Sequence, residues 1–166
     1  MKALFIGRFQ PFHKGHLLVL QHACKEYGEV IIGIGSSQYS GTVENPFSVE
    51  EREEMICRSL HESGITNYRI VGIPDIHDLP RWVDHVLSLV SDFDIVLSNN
   101  PLTKELFLAK GYSVKGTPFF QRTVYSGEEI RRRIEQGEPW EHLVPRPVAR
   151  CIHKADGIRR IKDLIH

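Results

Sequence analysis

This chain is poor in cysteine, lacks any long apolar run, and carries no surplus charge of either sign. Its 166 residues include only three cysteines, Cys24, Cys57 and Cys151, with no CxxC pair among them. That number and spacing argue against a disulfide framework and a structural zinc site, and they set the expectation of a reducing, cytoplasmic compartment. The first apolar stretch covers only residues 3–6 before Gly7 and Arg8, shorter than a signal-peptide core, and nothing approaches the length of a membrane span. Lys and Arg total 21 against 21 Asp and Glu, so no overall field recruits a nucleic acid or a membrane surface. Linkers, internal repeats and low-complexity tracts are missing too. A chain of this size is expected to form one domain over residues 1–166.

What the chain does have is alternation. Short apolar runs at residues 3–6, 30–34, 68–73, 94–98 and 112–114 read as strands. The first, second and fourth lack in–out alternation, as expected of strands covered on both faces. Between them lie amphipathic segments. Leu17, Leu20, Cys24 and Tyr27 mark one helical face, with a start near His16 and a stop at Gly28. Ser48 with Glu51 makes a capping box for a helix ended by Gly64. Pro80 opens a third helix running to about Val90, and residues 102–110 form a fourth, stopped by Gly111. Ser126 with Glu129 reads as a second capping box, and residues 145–155 and 157–165 as two closing helices. The pattern predicts a Rossmann-like, three-layer α/β fold: a parallel sheet of about five strands, wrapped on both sides, with C-terminal helices added. Ligands on such sheets bind at the carboxyl ends of the strands.

The richest stretch is Gly7-Arg8-Phe9-Gln10-Pro11-Phe12-His13-Lys14-Gly15-His16. A strand runs into a loop with one arginine and two histidines, and a helix starts at the end of it. Two surface histidines, or a chance metal-binding pair, would be the bland explanation. The placement favours a polyphosphate cradle instead, with ring N–H groups and free helix amides at one point. No third ligand lies at a spacing that would support zinc, so no metal held by the protein is expected. Further on, Ser126 caps a helix that carries Arg131 about a turn and a half later. On its own this would be an ordinary capped helix, with Arg132 and Arg133 in solvent. Paired with the first motif, it offers a second helix N-terminus and a second cation for the other end of a triphosphate. From Arg122 to Lys162, ten Lys and Arg face six Asp and Glu, a local excess that helps to hold a polyanion. Arg150, Lys154, Arg159, Arg160 and Lys162 read as a solvated helical face, and the histidines after His16 as unremarkable surface residues. Residues 36–45 are polar and glycine-bearing, either a closing loop or an ordinary surface one.

Taken together, these motifs resemble the nucleotidyltransferase superfamily with an early [HT]xGH and a late [ST]xxxxR motif. More narrowly the chain is similar to the archaeal-type nicotinamide-nucleotide adenylyltransferases, through residues 7–16, Gly33-Ile34-Gly35-Ser36, Asn45-Pro46-Phe47-Ser48 with Glu51-Arg52, Asn100-Pro101-Leu102, and Tyr125-Ser126-Gly127 with Ile130 to Arg133. The resemblance implies transfer of AMP from ATP to nicotinamide mononucleotide, or its nicotinate form, with release of pyrophosphate. It implies that His13, His16 and Arg131 are catalytic. Gly7, Arg8, Phe9, Asn100 and Ser126 would join them in holding ATP, and Mg²⁺ would accompany the nucleotide. Trp82 would stack on the nicotinamide ring, with Asp75 and Ile76 near its carboxamide, although the same tryptophan also suits a helix core. Leu79 departs from relatives that often carry asparagine there. The resemblance further implies a homo-oligomer, a hexamer, while the charge balance speaks against a nucleic-acid partner. Rival readings keep the chemistry with another phosphate acceptor, phosphopantetheine or a flavin mononucleotide, or keep the cradle in a nucleotide sensor without turnover.

Overall fold

The computed structural model describes residues 1–118 and 124–165; Arg122 of the basic segment and His166 lie outside them. Five strands, β1 (Lys2–Gly7), β2 (Glu29–Gly35), β3 (Tyr68–Ile73), β4 (Ile95–Leu97) and β5 (Ser113–Lys115), form one parallel sheet in the order β3-β2-β1-β4-β5. Seven helices connect and follow them: α1 (Lys14–Glu26), α2 (Val49–Glu62), α3 (Leu79–Leu89), α4 (Pro101–Ala109), α5 (Gly127–Gln136), α6 (Arg146–Lys154) and α7 (Gly157–Ile165).

Consecutive strand residues serve opposite layers, as the two-residue period demands. Ala3, Val30, Ile32, Ile34 and Leu97 meet Leu20, Met55, Ile56, Ile130, Val148 and Ile161, which puts α1, α2 and α5 to α7 over one face. Leu4, Ile31 and Val96 meet Val83, Val86 and Phe107, which puts α3 and α4 over the other. Apolar residues are needed on both faces, so β1 and β2 show no alternation in sequence.

The chain winds outward from β1 through β2 to β3, then returns to β4 on the other side of β1. Loops leaving β1 and β4 therefore part in opposite directions and open a crevice between their carboxyl ends, the usual ligand position on such a sheet. A buried side chain ties this edge together. Arg52, fully buried on α2, donates to the carbonyls of Arg8 (3.0 Å) and Gly35 (2.9 Å), of Ser36 and Tyr39 (both 3.3 Å), and of Ser48 (3.2 Å). Burial pushes its guanidinium down to about 10, yet it stays charged at neutral pH.

Several local expectations shift. α1 begins two residues early because His13, not a later residue, caps it. Gly28 is not a left-handed stop; α1 ends on extended Tyr27, and Gly28 N–H bonds the Met1 carbonyl at 3.0 Å as the chain enters β2. The box at Ser48 is complete, each partner capping the other. At Ser126 only half of one forms: the hydroxyl accepts from Glu129 N–H at 3.1 Å, while the Glu129 carboxylate turns to Arg132 and Arg133. Arg132 and Arg133 are thus paired rather than solvated. Arg160 is not solvated either: it grips the Glu51 carboxylate with two bonds, 2.7 and 3.0 Å, and tethers α7 to α2.

Candidate active site

The site grows from the loop after β1. Phe9 takes a left-handed backbone, φ 54°, and folds its ring back over Gly7, where a Cβ would lie 2.9 Å from it. With Phe12 and Phe5 it walls the His16 imidazole: the Phe9 centroid is 4.7 Å away edge-on, Phe12 5.5 Å in a stack, and Phe5 6.5 Å edge-on. Gln10 locks the loop from below, its carboxamide exchanging two 2.9 Å bonds with the Phe47 backbone.

His13 and His16 form an all-histidine capping box at the start of α1. His16 N–H donates to His13 Nδ1 at 3.3 Å, His13 N–H donates to His16 Nδ1 at 3.2 Å, and the rings stack 3.5 Å apart. A ring nitrogen that accepts a hydrogen bond carries no proton, so each neutral imidazole keeps its proton on Nε2. Burial pushes His13 down to about 3, and burial together with the neighbouring His13 pushes His16 well below its ordinary value. Both rings are therefore neutral Nε2–H donors. Lys14 and Gly15 N–H have no partner among the described residues and add the positive end of the helix dipole. Gly15 is required sterically, since a Cβ there would sit 2.9 Å from the His13 ring and 3.0 Å from Tyr125 Cβ.

α5 brings the second helix start. Ser126 caps it, and Arg131 folds back so that Nη1 donates to the Gln10 carbonyl at 2.7 Å. Gly127 makes room, because a Cβ would lie 2.9 Å from both that Nη1 and the Gln10 oxygen. Burial, and then Arg8, push the Arg131 guanidinium below its ordinary value. Neither Arg8 nor Arg131 has a carboxylate ion-pair partner among the described residues, whereas Arg132 has Glu129 and Glu138. The Glu128 and Glu44 carboxylates offset part of the repulsion from Arg8 without forming an ion pair with either arginine, so an added anion between the two cations is favourable.

One open cavity of about 1000 Å³ runs across these parts, lined by Arg8, Phe9, His13, His16, Asn100, Ser126 and Arg131. His16 and Arg131, remote in sequence, thus share one wall system. Gly7 does not line it and acts by seating Phe9. Asn100 lines it with its carboxamide oxygen already spent on the N–H groups of Leu102 and Thr103 at the head of α4. Asp75, Ile76 and Trp82 are not among the lining residues. Trp82 is half-buried and meets Phe107 edge-on at 5.6 Å, so part of its ring belongs to the core beneath α3 and α4. Sequence reasoning missed Gln10 and Gly127 as supports and Asn99, which clasps Thr117 through three bonds of 2.7–2.8 Å. The glycine beside a capping serine was the one visible signal among these. Glu44, Glu128 and Glu135 also line the cavity, yet no group of three or more His, Cys, Asp or Glu among the described residues could hold a metal ion. No helix among them is long and apolar enough to cross a membrane.

Two capped helix starts with uncompensated cations, meeting at the switch point of a parallel sheet, define the nucleotidyltransferase class. The cytidylyltransferase-like family model matches residues 4–133. The nicotinamide-nucleotide adenylyltransferase of Thermoplasma acidophilum is 48% identical over 163 residues, 98% of this chain and 91% of its own. That of Thermococcus kodakarensis is 47% identical over 165 residues, 98% of this chain and 88% of its own. In fold the chain is similar to the crystal structure of a bifunctional NMN adenylyltransferase/ADP ribose pyrophosphatase from Francisella tularensis, complexed with AMP and a manganese ion. The TM-score is 0.79 at 24% identity, and the match covers 99% of this chain and 51% of that one. The chain belongs to the cytidylyltransferase-like family and, within it, to the nicotinamide-nucleotide adenylyltransferases.

Proposed function

We propose that this protein transfers the adenylyl group of ATP to the phosphate of nicotinamide mononucleotide, giving NAD and pyrophosphate. The observation that carries the reading is the single cavity shared by His13, His16, Ser126 and Arg131. The acceptor phosphate is mostly dianionic at neutral pH, with a second pKa near ~6, so it attacks the α-phosphorus without a general base. An oxygen–phosphorus bond forms to the acceptor while the bond to the bridging α,β-oxygen breaks, and the electron pair leaves with pyrophosphate. Charge builds on the bridging oxygen and on the equatorial oxygens of the α-phosphoryl group. His13 and His16 meet it with Nε2–H donors that need no protonation, backed by the Lys14 and Gly15 amides. Ser126, the α5 amides, Arg131 and Arg8 hold the β and γ groups in line. Mg²⁺ enters with ATP and supplies neutralisation of the triphosphate, a role that needs few protein ligands. Asp75, Ile76 and Trp82, which follow β3 and lie outside the lining of that cavity, would form the acceptor side as its continuation along the strand ends. All three cysteines are free, which supports placing the reaction in the reducing cytoplasm.

The test is to incubate the protein with ATP, Mg²⁺ and one acceptor at a time, then to assay pyrophosphate and weigh the product. Nicotinamide and nicotinate mononucleotide, phosphopantetheine and flavin mononucleotide make up the series. NAD or its deamido form is the expected product. Pyrophosphate with phosphopantetheine or the flavin alone would overturn the acceptor, and ATP binding without any product would leave a sensor.

A further inference from the structure

The β2–β3 ladder does not end where the strands end. Its last paired residues are Gly35 and Ile73, and Ser37 N–H still donates to the Ile73 carbonyl at 3.2 Å. Beyond that point a side chain takes over. Gln38 Nε2 donates to the Asp75 carbonyl at 2.7 Å, and Asp75 N–H donates to Gln38 Oε1 at 2.9 Å. One carboxamide thereby satisfies both backbone groups of a single residue, as a neighbouring strand would. The following side chain continues the seam, the Tyr39 hydroxyl bonding His77 Nε2. Within the turn, Asp75 Oδ1 accepts from His77 N–H at 2.9 Å and steadies His77 in its left-handed backbone, φ 54°. Asp75 is thus occupied through its N–H, its C=O and one carboxylate oxygen, whereas Ile76 keeps N–H and C=O without a partner among the described residues. The loop bearing Gln38 is itself anchored through Arg52, which holds the Ser36 and Tyr39 carbonyls and also that of Arg8.

We infer that Gln38 is a positioning residue: it fixes the main chain of Asp75 and Ile76 in the shape that receives the acceptor nucleotide. This rests on the proposed reading of Asp75, Ile76 and Trp82 as the acceptor side. Gln38 need not touch the substrate. It acts by removing freedom from a turn whose other hydrogen bonds to its surroundings, among the described residues, come from Ser37, from Tyr39 and, on the α3 side, from His85 Nε2 at the Pro74 carbonyl, 2.9 Å. Gln38 is exposed, outside any helix or strand, so its loss leaves the core untouched. What changes is alignment of one substrate and not the other.

The experiment measures steady-state kinetics of Gln38→Ala and Gln38→Glu with each substrate varied in turn, alongside thermal melting. Glutamate keeps an acceptor for Asp75 N–H but sets a carboxylate against the Asp75 carbonyl, so it too opens the clasp. Both variants are expected to melt within about 2 °C of the wild type, raise KM for nicotinamide mononucleotide about tenfold or more, and keep KM for ATP within about twofold. Unchanged KM for the mononucleotide in either folded variant overturns the inference. So does a parallel rise in KM for both substrates, which would mean general loosening of the site. The underlying reading fails separately: it falls if the wild type makes no product with nicotinamide mononucleotide, whatever Gln38 does.

Discussion

At the residue scale the two histidines decide how the start of α1 responds to acid. Their Nδ1 atoms are committed to backbone N–H groups, so protonation must break a cap as well as charge a buried ring. Both folded pKa values are depressed, His13 to about 3, while an unfolded histidine titrates near ~6.5. Below about pH 6.5 the unfolded chain therefore takes up protons that the folded one refuses, and stability falls as pH drops through that window. Each buried histidine contributes a slope of up to about 1.4 kcal/mol per pH unit. Urea denaturation at pH 7, 6 and 5 should show the decline, and His13→Asn, which keeps a capping acceptor without a titrating ring, should flatten it. Catalysis is expected to depend on the same Nε2–H donors. His16→Ala should lower kcat by ~10²–10³, the range for losing an oxyanion-hole donor; single-turnover formation of pyrophosphate is the measurement.

At the scale of elements, glycines next to caps do more than end or begin helices. Gly127→Ala would push against both the Arg131 guanidinium and the Gln10 backbone oxygen, and its expected signature is a raised KM for ATP together with a lower melting temperature. Ser126→Ala removes the cap of α5 and should cost about 1 kcal/mol in denaturant unfolding. Most elements were legible beforehand because apolar runs, capping pairs and glycine stops are local signals. β3 and the α2 box match residue for residue. What escaped notice depended on contacts across the fold. Arg52 reads as one more charge on α2, and it takes the end of β1, the end of β2 with the loop after it, and the cap of α2 itself to give it five carbonyls to hold. Glu129 looked like the return half of a box, and two arginines one turn on drew it away. Asn100 follows β4, yet the side chain that braces the neighbouring loop is that of Asn99.

At the scale of the molecule, the last helix, α7, is built into the cavity wall rather than hung behind it. Ile161 and Ile165 of α7 reach the cavity wall, and Arg160 of the same helix holds Glu51 and the Pro46 carbonyl. Burial alone would push the Glu51 carboxyl up, but hydrogen bonds from Arg160 and Ser48 outweigh it and hold the group below its ordinary value. Glu51 therefore adds stability that is present above the unfolded carboxyl pKa and is lost as pH falls through the folded one. Arg160→Met should destabilise by roughly 1–3 kcal/mol and loosen ATP binding; denaturant titration and calorimetry with ATP check the two effects separately. A variant that melts early yet binds ATP normally would show α7 to be a brace only.

The knot around Arg52 has a consequence for anyone wishing to move this chemistry elsewhere. The opening decapeptide is held in part by a guanidinium contributed by a helix more than forty positions downstream, which also clamps the tip of the second strand. Grafted onto a foreign sheet, those ten amino acids would carry one arginine and both histidines but none of the outside bonds that aim them. The portable unit is the strand pair with its bolt, together with the later helix that brings Arg131 against Gln10.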